Sequence, residues 1–326
     1  MDLRLALYEL AAQHQLDAAA HQKLQQLAGL NREPSRLGYW LPRGVAVLAA
    51  ALGGFGVILW IAANWDTLGR FGRFALLQGL FAVMCFGALL KPVARVPLGL
   101  LALLAIGGLF AYFGQTYQTG ADPWQLFALW AVLALPLTLS VRSDVLWTPW
   151  ALIVVTGISL WVHAHTSHRW RVEPQDLGVY AAGWSAALAL TLALSPALKR
   201  WSGAGPWAMR TAVTLTLIMI TGTALGGLFQ NEVAALYWLG LTLLVLAGAG
   251  LASKQLFEIY GLSAVSLGLN TLLIFGLGRA LFHDSRGDNW LGAMLLLGLV
   301  AAALLAGTVS VLLRLSRRYA TPGAAA

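Results

Sequence analysis

Apolar and polar residues fall into blocks along this chain: long apolar stretches alternate with short polar turns from about residue 44 to residue 313. A hydrocarbon core about 30 Å thick takes roughly 20 residues of helix, and a chain inside it must pair its own backbone N–H and C=O groups. The blocks at 44–63, 71–90, 96–113, 123–140, 145–163, 178–195, 207–229, 233–252, 257–281 and 290–313 are therefore predicted to be membrane-spanning helices. The fold class is all-α, a polytopic bundle of about ten spans. Ahead of it, "MDLRLALYELAAQHQLDAAAHQKLQQLAGL" predicts two short helices, the second opened by Asp17 as N-cap with Ala20, Leu24 and Leu27 at helical spacing. Three regions follow: a two-helix leader over 1–36, a transmembrane domain over 37–318, and a small-residue tail over 319–326.

Composition agrees with the pattern. With 59% hydrophobic and 10% charged residues and a mean hydropathy of +0.73, the chain has too little polar surface to dissolve as a globule. A net charge of +8 would point to nucleic acid in a soluble protein, but here the basic residues flank apolar runs. Fifteen of the 21 Lys and Arg fall on the side that holds both termini, and only Arg70, Arg73, Arg169, Arg171, Arg279 and Arg286 fall on the other. The excess of positive charge predicts cytoplasmic termini. The first span, preceded by a polar leader, is expected to target the chain to the membrane. Fourteen Trp suit the headgroup regions, and the single cysteine, Cys85, excludes an intrachain disulfide or a thiolate metal cluster.

The candidate chemistry lies in the turns on the side away from the termini. "FGQTYQTGADPWQLFALW" (113–130) is predicted to be an extracytoplasmic hairpin whose return helix starts at Pro123, with the Asp122 carboxylate capping its first turn. "NWDT" (64–67), "FQNEV" (229–233) and "HDSRGDNW" (283–290) close the other outer turns, whereas the inner turns carry mainly basic, small, proline and tryptophan residues. Asn64, Asp66, Gln115, Tyr117, Asp122 and Glu232 are the candidate ligand-binding residues. A neutral set such as Gln115, Thr116, Tyr117, Gln118 and Thr119 suits sugars, amides or lipid headgroups more than bare phosphate, and it equally suits a loop that satisfies its own backbone. "HAHTSHRW" (163–170) lacks the spacing of a metal site, and no metal or cofactor is assigned. Glu258 is expected to pair with Lys254 one helical turn away or to reach water, and Asn270 to bond a neighbouring helix. "LGGFG" and "IGGLF" predict close helix approach, Pro136 a kink, and the two "GGLF" strings, at 107–110 and 226–229, hint at a duplication.

The run "LWIAANWDTLGRFGRFALL" followed by "GQTYQTGADPWQLFALWAVLALPL" resembles a family of bacterial predicted membrane proteins, domain of unknown function 2157, and the likeness is firmest from residue 1 to about 140. The resemblance implies a multispan inner-membrane protein in which Asn64, Trp65, Gln115, Asp122 and Trp130 follow the family pattern. It brings no activity with it. Three function classes follow from the residues. A transport or binding protein would receive an envelope solute or a lipid-linked ligand on the outer polar face. A structural or assembly protein of the envelope would use its loops, and a protein partner at the leader. An enzyme acting on lipid or glycan ranks last, since Asp66, Asp122 and Glu232 form no paired carboxylates at telling spacing. Membrane lipid is a contact in all three.

Overall fold

The computed structural model describes residues 3–28, 37–64, 69–117, 120, 122–167, 171–254, 257–283 and 290–319. In chain order the helices are α1 (Leu3–Gln13), α2 (Ala18–Leu27), α3 (Leu37–Ala63), α4 (Arg70–Leu90), α5 (Arg95–Tyr117), α6 (Pro123–Val141), α7 (Asp144–His165), α8 (Leu177–Ala193), the single turn α9 (Lys199–Ser202), α10 (Pro206–Leu228), α11 (Ala235–Leu251), α12 (Ile259–His283) and α13 (Trp290–Tyr319). No strand occurs among the described residues.

Each of the ten predicted blocks is a helix. Among the described residues nine are long and apolar enough to cross a bilayer; α11, with 17 residues, is about 25 Å long and stands at the lower edge of what can span. The protein is an all-α polytopic membrane protein. In the leader, the Asp17 side chain accepts from the N–H of Ala20 at 2.8 Å, which starts α2 where the sequence placed it.

Lipid offers no hydrophobic force between helices, so close packing and interhelical hydrogen bonds hold such a bundle together. The interior shows both. Ala134, Ala151, Ala187, Ala208, Ala212 and Ala224 are wholly buried, so that helix backbones approach closely. α10 is central and packs on α7, α8, α11 and α12, while α3 packs on α5 and α13 on α12 at the periphery. None of the most apolar stretch of α13 is buried within the chain.

Alternating helices create two faces. The distal face carries the C-terminal ends of α3, α5, α7, α10 and α12, and the terminal face carries their N-terminal ends and the end of α13.

Candidate functional site

On the distal face, Asn64 ends α3 and donates from Nδ2 to the carbonyl of Trp60 at 2.9 Å. Gln115 is exposed on the last turn of α5. Tyr117 closes that helix with its ring against Phe74 and Phe113 and with the Arg70 guanidinium 6.0 Å from its centroid. Asp66, Gln118, Thr119, His168 and residues 284–289 lie outside the described residues.

Asp122 departs from the expectation. It holds the N-cap position with extended backbone and Pro123 follows at N1, but its carboxylate makes no capping hydrogen bond. The side chain is exposed, where water competes for a carboxylate, and only the Asp122 carbonyl is used, accepting from Gln125 N–H at 3.0 Å.

Glu232 is exposed on the α10–α11 turn. That turn is held by its neighbours. Arg279, near the distal end of α12, donates to the carbonyls of Leu228, Gln230 and Asn231, placing a cation at the negative C-terminal end of α10. Gln230 donates to the Val172 carbonyl at 2.6 Å and ties the turn to the α7–α8 loop. The candidate residues therefore fall into two groups. Tyr117 packs with α4, and the turn carrying Glu232 packs with the α7–α8 loop and α12.

The polar residues nearby are largely committed to structure. Asp176 is buried and accepts from the backbone N–H and hydroxyl of Ser167 at 2.9 and 2.7 Å, which closes the α7–α8 loop. Among the described residues, no three His, Cys, Asp or Glu side chains come together as metal ligands. Within the membrane, Asn270 and Thr308 bond each other between α12 and α13, Nδ2 to Oγ1 at 2.9 Å, as the interhelical expectation required.

One expectation needs correction on the terminal face. Glu258 pairs not with Lys254 but with Arg210 of α10 at 3.9 Å, and its other oxygen accepts from the Gly261 N–H at the start of α12. Bundle packing brings that arginine to the start of α12, where the free N–H groups also draw the carboxylate. Three tryptophans tie helices together: Trp130, Trp150 and Trp147 donate to the carbonyls of Leu103 (3.0 Å), Ala131 (2.8 Å) and Ser202 (2.9 Å). An indole N–H in hydrocarbon needs an acceptor, and backbone carbonyls of the next helix supply it.

The feature that sequence reading missed is a lateral groove. α6 and α8 both pack on α7. Between them lies a 490 Å³ cavity walled by small residues, Ala128, Ala131, Gly157, Ala182, Gly183 and Ala186, together with aromatic and aliphatic side chains that include Trp124, Phe127, Trp150 and Trp161. Its lining runs from Trp124 to Leu135 on α6 and from Trp150 to Trp161 on α7, each about 16 Å of helix. Trp124 and Trp161 mark the distal end; Leu135 and Trp150 mark the inner one. At the distal end the His165 ring stacks on Trp161 with centroids 4.6 Å apart and meets Trp124 edge-on at 6.0 Å.

With this arrangement in view, the comparisons with known proteins add one finding. Residues 8–147 match the model of the family described as "Predicted membrane protein (DUF2157)". The resemblance read from the sequence is thereby supported from the second half of α1 to the first turn of α7. No curated protein and no solved structure matches the chain. Within the DUF2157 segment lie Asn64, Gln115 and Asp122, all on the distal face, and Trp130, which bonds α5.

Proposed function

We propose that this DUF2157-containing chain is a lipid-binding protein of the bacterial inner membrane, with both termini cytoplasmic and the distal face turned outward, whose α6–α7–α8 groove receives one acyl chain from the outer leaflet. The observation that carries the reading is the groove's lining: apolar side chains and small residues run along about 16 Å of α6 and α7, as one hydrocarbon chain requires. The groove's length is also about half of a 30 Å hydrocarbon core, the depth of one leaflet. The basic residues on the terminal face support the orientation, and the outer polar residues Asn64, Asp66, Gln115, Tyr117, Asp122 and Glu232 would then face the envelope, where a solute or lipid-linked group meets the protein.

Ala182 and Ala186 are exposed on the α8 wall, so a phenylalanine at either fills the groove without entering the packed core. Native mass spectrometry of the purified chain in mild detergent should show bound dioleoyl phosphatidylglycerol for the parent and little for Ala182→Phe and Ala186→Phe. Equal lipid retention by all three would remove the groove as the site.

The second reading, a structural or assembly protein of the envelope, draws on α13. Its most apolar stretch is unburied, and the helix packs chiefly on α12, leaving a long face for another membrane protein. It expects a reproducible protein partner after mild-detergent purification, lost when the exposed Leu295 and Leu299 are replaced by tryptophan.

A further inference from the structure

We infer that a second groove, between α11, α12 and α13, holds an anionic phospholipid of the leaflet at the terminal face, with one acyl chain along α13 and the phosphate against Lys254 and Arg318. The site is separate from the α6–α7–α8 groove and does not rest on the reading of that one. The cavity measures 680 Å³ and runs from Val245 to Ala252 on α11, from Leu262 to Leu269 on α12 and from Val300 to Leu315 on α13, about 22 Å of the last helix. Its walls are aliphatic side chains and small residues, and the Thr308 hydroxyl among them is already bonded to Asn270. An open cleft in a bilayer fills with hydrocarbon, because an empty one forfeits the dispersion contacts of its lining.

The terminal end of the groove selects the lipid. Tyr319 donates from its hydroxyl to the Ala252 carbonyl at 3.3 Å and meets Phe257 edge-on, which joins the ends of α11 and α13. That contact places Lys254, two residues after Ala252, and Arg318, whose guanidinium lies 6.0 Å from the Tyr319 ring centroid, at the same end of the groove. Arg318 comes three residues after Leu315 and seven after Val311, both in the lining, so the stripe that α13 turns to the groove runs onto it. Both side chains are exposed, and among the described residues neither pairs with a carboxylate. Glu258, the nearest acid in sequence to Lys254, is taken by Arg210 and the Gly261 N–H. An ammonium and a guanidinium carry their charge and their donors throughout the physiological range, so a phosphate binds them without any change of protonation.

Charge also decides against a helix as the occupant. The α13 of a second copy, entering in the same membrane orientation, would bring its own Arg314, Arg317 and Arg318 to the level of these cations. A headgroup with net negative charge is attracted there instead, as at other basic pockets between membrane helices. Basic residues at this level satisfy the topology rule as well, so the test has to separate their position from their charge.

The test is native mass spectrometry titration of the full chain carrying Ala182→Phe, which fills the α6–α7–α8 groove, with dioleoyl phosphatidylglycerol and with zwitterionic dioleoyl phosphatidylcholine. The anionic lipid is expected to bind about fivefold more tightly or better, and Lys254→Gln and Arg318→Gln should each weaken it about fivefold while leaving phosphatidylcholine unchanged. Arg317→Gln removes the same charge from the side of α13 turned away from the groove and should change little. Gly307→Leu, where a Cβ meets nothing within 4 Å, fills the groove and should weaken both lipids about tenfold. Equal binding of the two lipids, or an equal loss in Arg317→Gln and Arg318→Gln, would overturn the headgroup site. Unchanged binding by Gly307→Leu would overturn the groove as its anchor, and Ala303→Phe takes its place in that comparison if its thermal melt shows it unfolded. The effect of Ala182→Phe itself, measured against the unsubstituted chain, reports on the first groove and not on this one.

Discussion

Two glycines carry a packing device that recurs in the bundle. Trp130 donates to the carbonyl of Leu103, and Gly107, four residues on, lies directly beneath its ring; Tyr237 donates to the carbonyl of Leu272 at 3.0 Å, with Gly276 beneath its hydroxyl. A helical carbonyl at i already accepts from the N–H at i+4, and the side chain at i+4 lies over it because Cβ points toward the N-terminus. Glycine at i+4 uncovers the second lone pair for a ring from the next helix. A Cβ at either position would collide with that ring. Replacing glycine by alanine inside a helix ordinarily stabilises it by about 1 kcal/mol, so the sign of the effect is diagnostic. Gly107→Ala and Gly276→Ala should each lower stability by about 1 to 3 kcal/mol through overpacking. Gly222→Ala, which meets nothing within 4 Å, should be neutral or stabilising. Thermal melts of the three variants in one detergent check this, and a rise in melting temperature for Gly107→Ala would count against the device.

At the scale of elements, the α6–α7 turn grips the start of α10. The Asp144 carboxylate accepts from the N–H groups of Gly205, Trp207 and Ala208 at 3.1, 2.8 and 2.9 Å, so an acid at the start of one helix caps another across the bundle. Arg142 adds a hydrogen bond to the Arg200 carbonyl, and Trp147 one to Ser202. Asp144→Ala should lower stability by about 1 to 3 kcal/mol, because three N–H groups at the positive end of α10 lose their acceptor. Asp122→Ala, which removes no capping bond, should change the melt little. The pair also shows what the sequence made legible. Helix lengths and limits followed from apolar block length and from Pro, Gly and Asp punctuation. The partners of Asp144 lie more than sixty residues away, and no local periodicity reveals them. The groove was hidden for a related reason: Ala128, Gly157 and Ala182 read the same whether a helix packs against them or hydrocarbon does. "IGGLF" foretold close approach at Gly107, but not that the approaching group is an indole.

For the molecule as a whole, the DUF2157 match ends at residue 147, inside α7, yet α7 packs on α10 and the side chain of Trp147 reaches Ser202. The border of the match is therefore not a border in the bundle, and the remaining helices complete a core that the matched segment shares. One set of cysteine variants tests both the proposed orientation of the bundle and the crossing of the membrane by α11. Cys85 is the only cysteine, so Cys85→Ser gives a silent background. Asp122 and Glu232 are exposed on the distal face, and Lys91 and Lys254 are exposed on the terminal face. In whole cells treated with a membrane-impermeant maleimide, Asp122→Cys and Glu232→Cys should be labelled. Lys91→Cys and Lys254→Cys should react only after lysis, as the surplus of basic residues on their side requires. The reverse pattern would turn the distal end of the groove toward the inner leaflet. Labelling of Lys254→Cys together with Glu232→Cys in intact cells would show that the 17 residues of α11 fold back without crossing, and that the bundle contains nine spans.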